Sequence, residues 1–121
     1  MTQEQKDLLL KDLCARLPYG VKISVNDKVE SLQGINILDN VVEYDSCLSS
    51  DIEEVKPYLF PLSSMTEEQS KIYHELIGGM FGTSALINFE VLEDFFHKNH
   101  LDYKGLIEKN LAIDATKLNV Y

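Results

Sequence analysis

The stretch Asp51-Ile-Glu-Glu-Val-Lys-Pro-Tyr-Leu-Phe-Pro-Leu-Ser-Ser-Met-Thr-Glu-Glu-Gln69 divides the chain into two kinds of sequence. Before it, apolar residues alternate in short runs, as in strands. After it, they recur at helical spacing. Pro57 and Pro61 exclude a helix over 57–62 and exclude a central strand, because proline has no N–H for a ladder. Tyr58, Leu59 and Phe60 between them read as a short edge strand. Thr66 and Gln69 have the spacing of a capping box, in which the two side chains satisfy each other's backbone N–H groups at a helix start. Strands followed by helices indicate the α+β class.

Working outward toward residue 1, the next signals are a helix and a meander. Thr2-x-x-Gln5 is a second capping-box pattern, and Leu9, Leu10, Leu13, Cys14 and Leu17 follow at helical spacing. A helix is expected over 3–16, ending near Pro18, with Lys6, Lys11, Asp12 and Arg16 on its other face. Val21, Ile23 and Val25 alternate with polar residues and predict a half-buried strand. Asn26-Asp27 is a turn signal. A two-residue loop sets Val25 opposite Lys28, and a three-residue loop sets it opposite Val29. The second suits the apolar face better and is the expected one. A second strand is read over 29–37 with a bulge at Gly34, then a turn at Asp39-Asn40, and a third strand over 41–44. One helical or 3₁₀ turn is read over 51–55. Three strands, this turn and a short closing strand suggest a small barrel of the Src-homology-3 type.

Toward the other end, a helix is expected from the Thr66 box to Ile77. Ile72, Tyr73, Leu76 and Ile77 lie inward, and Gly78-Gly79 stops it. Residues 80–87 read as a connector or a short strand. Asn88 is the expected N-cap of the next helix, with Ile87 stapled to Leu92, and Phe89, Leu92, Phe95 and Phe96 toward the core. Asp102 repeats the device for a short helix reaching about Lys109. Residues 112–121 are read as a tail or an added edge strand. The expectation is a single α+β domain over 1–121: an N-terminal helix, a three- to four-stranded antiparallel meander, then two or three C-terminal helices.

At 121 residues and 45% hydrophobic composition the chain has enough apolar material for a core. A domain of this size buries roughly two-thirds of the surface that its unfolded chain exposes. The net charge is −9 and the pI about 4.6. Such a chain repels a phosphate backbone, and Arg16 is its only arginine, so direct nucleic-acid binding is not expected. Acid is concentrated between Asp39 and Glu54. Asp39, Glu43, Asp45, Asp51, Glu53 and Glu54 lie there with no Lys or Arg among them. This segment reads as a solvated rim or as a docking surface for a basic protein partner. Cys14 and Cys47 form no Cys-x-x-Cys pair, and no signal peptide or membrane span is read. Reduced thiols in a cytoplasmic protein are expected, with no cofactor.

Two runs carry a resemblance. They are Val55-Lys-Pro-Tyr-Leu-x-Pro-x-Ser-Ser-Met-Thr66 and Asp102-Tyr-x-Gly-Leu-Ile-Glu-Lys109, within the stretches Asp51 to Glu68 and Asn99 to Lys109, which together make about a quarter of the chain. In these runs the chain resembles a family of small uncharacterised proteins of gut anaerobic bacteria and their phages or mobile elements. The family often carries arginine before the second proline, where this chain has Phe60, so a function resting on that arginine does not carry over. The resemblance implies a mobile-element accessory protein and no catalytic residue.

The candidate chemistry is sparse. His97 and His100 stand at i and i+3, one face of a continued helix, and with Asp94 or Asp102 are weak candidates for a divalent metal site. Asp51, Glu53 and Glu54 fan out over successive helical positions and do not converge on one atom. Ser63-Ser64 lack the glycine elbow of a nucleophile, and Gly78-Gly79-Met-Phe-Gly82 lacks the Lys-Ser/Thr of a phosphate loop. Tyr58 and Phe60, alternating on an edge strand, are the candidate aromatic docking residues beside Glu43, Asp45, Asp51, Glu53 and Glu54. The leading expectation is a non-catalytic, acidic protein-interaction or accessory protein. A small enzyme or metal-dependent binder centred on His97/His100, and a nucleic-acid mimic, stay open as alternatives.

Overall fold

The computed structural model describes residues 1–45, 48–80 and 85–121, with side chains placed over 1–45, 48–77 and 89–121. Helix α1 spans Gln3–Arg16, and its Thr2–Gln5 capping box is formed in both directions. A 3₁₀ turn over Leu17–Tyr19 follows and closes at Gly20, whose φ of 70° suits a residue without Cβ. Strands β1 (Lys22–Val25), β2 (Lys28–Asn36), β3 (Val41–Tyr44) and β4 (Ser49–Asp51) form the meander. The long strand β5 (Val55–Pro61) comes next, then α2 (Glu67–Met80), α3 (Ala85–Lys98), β6 (Leu101–Asp102) and β7 (Ile113–Asp114). Among the described residues no helix is long and apolar enough to cross a membrane.

The sheet is open, in the order β4-β3-β2-β1-β5-β6, with β7 also on β5. A closed Src-homology-3-like barrel is therefore not formed, because β4 and β6 stand at opposite ends of the order. The β1–β2 loop has two residues and sets Val25 opposite Lys28, not Val29. Asn26 and Asp27 both take positive φ, the geometry that matches the twist of a tight hairpin, and this turn chemistry outweighs the apolar register. The bulge falls between Leu32 and Gly34 as expected. A Cβ at Gly34 would stand 3.0 Å from the Glu43 carboxylate.

The larger difference is β5, which lies in the middle of the sheet rather than at an edge. It pairs antiparallel with β1 over Val55, Lys56 and Pro57, and parallel with β7 and β6 beyond that. Phe60 donates its N–H to the His100 carbonyl, whereas the Leu59 carbonyl accepts from Ala115. Neighbouring residues thus turn to opposite sides, and Pro57 shares the side of Leu59. Pairing with β7 begins only at Tyr58, so the N–H that Pro57 lacks falls just before that ladder starts. Pro61 is the last residue of the strand. Both prolines are accommodated at the ends of ladders.

The helices also run differently from the reading at three points. Helix α2 continues past Gly78-Gly79 to Met80, since glycine costs helix stability without forbidding it. Helix α3 begins at Ala85, so Asn88 is inside it and does not cap it. After Asp102 no third helix forms. The Asp102 carboxylate accepts from the N–H groups of Leu106 and Ile107, and positive φ at Gly105 and Asn110 keeps 103–112 in turns. Cys47 and residues 81–84 of the glycine-rich loop lie outside the described residues; Cys14 is a half-buried free thiol.

Two apolar clusters hold the layers. Leu9, Leu10 and Leu13 of α1 pack on Val21, Ile23, Val25, Leu32, Val42 and Leu59 of the sheet side. Leu92, Phe95, Phe96 and Leu101 form the second, with Phe60, Tyr73, Leu76 and Tyr103 against it. Phe89 is not part of either; it is 48% exposed, because α3 leaves the sheet behind toward its start. Phe96 stacks on Tyr103 at 4.7 Å and meets Tyr73 at 5.9 Å. Phe96→Ala should lower unfolding stability by about 3–5 kcal/mol in denaturant titration, and Phe89→Ala by far less. Equal losses at the two positions would contradict this division of the helix.

Candidate functional site

Asp12 and Arg16 are the first surprise of the interior. Both were expected on the outer face of α1, yet both are 0% exposed. Arg16 stands seven residues after Leu9 and three after Leu13, so spacing alone puts it on the buried stripe. Its Nε donates to Asp12 Oδ2 at 2.8 Å, and its Nη2 donates to the Leu101 carbonyl at 2.6 Å. The guanidinium also lies 5.8 Å from the centre of the Tyr103 ring. Arg16 Nη1 and Asp12 Oδ1 have no protein partner. The pair is sealed from solvent and is not reachable by a substrate.

His97 and His100 lie around this charge but do not converge. His97 is buried, and its Nε2 meets the Tyr103 hydroxyl at 2.9 Å. His100 leaves the helix with a φ of 56° and stacks on the Tyr121 ring at 3.9 Å. The Tyr121 hydroxyl accepts from the Lys22 N–H and donates to the Tyr58 carbonyl, filling the gap where β1 and β5 part. Burial, then the Arg16 charge, lowers both imidazoles, and His100 is pushed down to about 4. Burial also raises the phenols of Tyr103 and Tyr121 to about 12. Among the described residues no three His, Cys, Asp or Glu side chains gather as a metal site would require. Asp102 is committed to the 106–107 backbone and Asp94 to the Tyr19 hydroxyl at 3.3 Å.

The β3–β4 hairpin sets Val41 opposite Asp51 and Glu43 opposite Ser49, which makes Glu43 and Asp51 diagonal neighbours on one face. Glu43 and Asp45 line a concavity of about 580 Å³ at one end. Hydrogen bonding, first with Glu30 and then from the Ser31 N–H, holds the Asp45 carboxyl below its usual range. At the other end Asp51 accepts from the Glu53 N–H, Glu53 pairs with Lys6 at 3.3 Å, and Glu54 borders a concavity with Lys56. Tyr58 is buried in the sheet, and Phe60 packs against Tyr121 and the second cluster.

What is open and apolar lies between α2 and α3, a groove of about 520 Å³. Ile72 and Leu76 form one wall at i, i+4 spacing, and Val91 and Phe95 the other. Ile72 is 40% exposed and Val91 44% exposed, while Phe95 is buried as the floor. Glu68, Asp94 and Lys98 stand at the rim. The closed end is fixed by polar side chains. Gln69 completes the Thr66 capping box and donates to Asn99, which in turn donates to the Phe95 carbonyl. The sequence held a signal for this groove: Ile72, Tyr73, Leu76 and Ile77 cover more of the helix than one core face needs, and Val91 falls off the Phe stripe.

No family model, no curated protein and no solved structure is similar to this chain. The site must be read from its own geometry.

The depressed histidines give a pH signature. Between pH 6.5 and about 4 the unfolded chain takes up a proton at His100 that the folded chain refuses, so folding stability falls as pH falls through that window. His97 acts in the same direction. The thermal midpoint should therefore drop on acidification, and His100→Phe, which keeps a ring against Tyr121, should drop less steeply. Parallel pH profiles for the two proteins would show that His100 does not titrate this way.

Proposed function

We propose that this chain is a non-catalytic protein-interaction protein, an accessory protein of a phage or mobile element, and that it docks its partner on the α2–α3 face. The observation that carries this reading is the open groove walled by Ile72 and Val91. Exposed apolar side chains gathered along one concave face, with a polar rim, are what protein docking sites present. Asp12, Arg16, His97 and His100, by contrast, are held in internal hydrogen bonds or stacks and do not line this groove. The acidic composition fits a basic partner and a cytoplasmic setting. The mobile-element setting rests on the resemblance in 55–66 and 102–109.

The test is affinity capture from host lysate with three forms of the protein. The unaltered chain should retain a partner that Ile72→Asp with Val91→Asp fails to retain. Glu53→Lys with Glu54→Lys should retain it. All three should melt at similar temperatures, since exposed substitutions typically shift stability by only about 0.5 kcal/mol. Capture lost only with the Glu53/Glu54 reversal would move the docking surface to the acidic segment and overturn the groove.

A further inference from the structure

We infer, resting on the docking reading above, that the occupant of the α2–α3 groove is a single amphipathic helix with basic flanks. Two i, i+4 ladders, Ile72–Leu76 and Val91–Phe95, make two ridges with a furrow between them. A third helix packs its own ridge into such a furrow. An extended strand is a poor occupant, because helix walls have already used their backbone hydrogen bonds and offer no ladder to pair with. The groove is lined over 69–76 of α2 and 91–98 of α3, about 12 Å at 1.5 Å per residue, so the occupant needs at least two to three turns.

Charge selects among helices. Glu68 and Asp94 stand at the rim against Lys98, and exposed Glu75 lies three residues from Ile72 on the same helix. A partner carrying Lys or Arg beside its apolar stripe is attracted to this rim, and an acidic helix is repelled. The same charge argues against a second copy of this chain. Two copies meeting groove to groove would bring two rims of the same net negative sign together.

The experiment uses three labelled synthetic peptides of 14–18 residues, about four turns each. One carries Leu at i, i+4, i+7 and i+11 with Lys flanks. The second has the same Leu pattern with Glu flanks. The third has the Lys peptide's composition with its Leu residues scattered round the helix. Fluorescence anisotropy should show the first binding at least tenfold more tightly than either other, with affinity falling as salt rises. Ile72→Asp with Val91→Asp should abolish that binding. Glu68→Lys should weaken it at least threefold with the fold intact by circular dichroism. No preference for the Lys-flanked helix overturns this inference, and the docking reading survives if lysate capture still depends on Ile72 and Val91. Loss of both overturns the docking reading itself. A dimer in sedimentation that Ile72→Asp with Val91→Asp dissolves makes a second copy the occupant and overturns the basic helix.

Discussion

The Arg16 guanidinium, buried with Asp12 under the Leu101 carbonyl, is the interaction on which the rest of the structure leans. A charge taken fully out of water is tolerated only when its donors find partners. Here one donor goes to the neighbouring turn of α1 and another crosses to β6, 85 residues away in sequence. That contact fixes the corner where α3 turns into β6. The corner in turn presents His100 and Leu101 to Phe60, so the end of β5 is defined by it. The arginine thus joins the first helix, the centre of the sheet and the helical pair.

The C-terminal segments complete what the meander begins. β6 and β7 are two residues each and would not be stable alone, but each adds to one side of β5. Tyr121 closes the remaining gap with its hydroxyl between Lys22 and Tyr58 and its ring on His100. With both sides of β5 used, the open features that remain are the helical groove and the hairpin ends. The titratable cluster around Arg16 is taken up by internal contacts, while the groove between α2 and α3 lies open.

Local signals were legible in the sequence where chemistry is local. The Thr2 and Thr66 boxes, the α1 limits, the bulge beside Gly34 and the α+β order all follow from spacing and capping. Long-range features were not. Pro57 and Pro61 argue against a central strand unless one knows that β6 and β7 return to β5 from more than forty residues later. Asp12 and Arg16 read as a solvated pair because charged side chains usually stay wet, and the carbonyl that draws Arg16 inward is invisible from α1. Of the expected docking residues, Tyr58 and Phe60 are absorbed by that same returning chain, whereas Glu43, Asp45, Asp51, Glu53 and Glu54 stay exposed. The groove was half visible, in the surplus of apolar residues on 72–77, and needed the pairing of α2 with α3 to become a site.

The central claim is that Asp12–Arg16 is a coupled pair holding the α1–β6 corner. A double-mutant cycle measures it directly. Arg16→Ala and Asp12→Ala should each lower unfolding stability by about 3–5 kcal/mol, because each leaves a buried partner uncompensated. Replacing both together, Asp12→Ala with Arg16→Ala, should cost clearly less than the two single losses combined. Single losses near about 0.5 kcal/mol, or a double variant that simply adds the two, would place the pair at the surface or uncoupled and contradict the account.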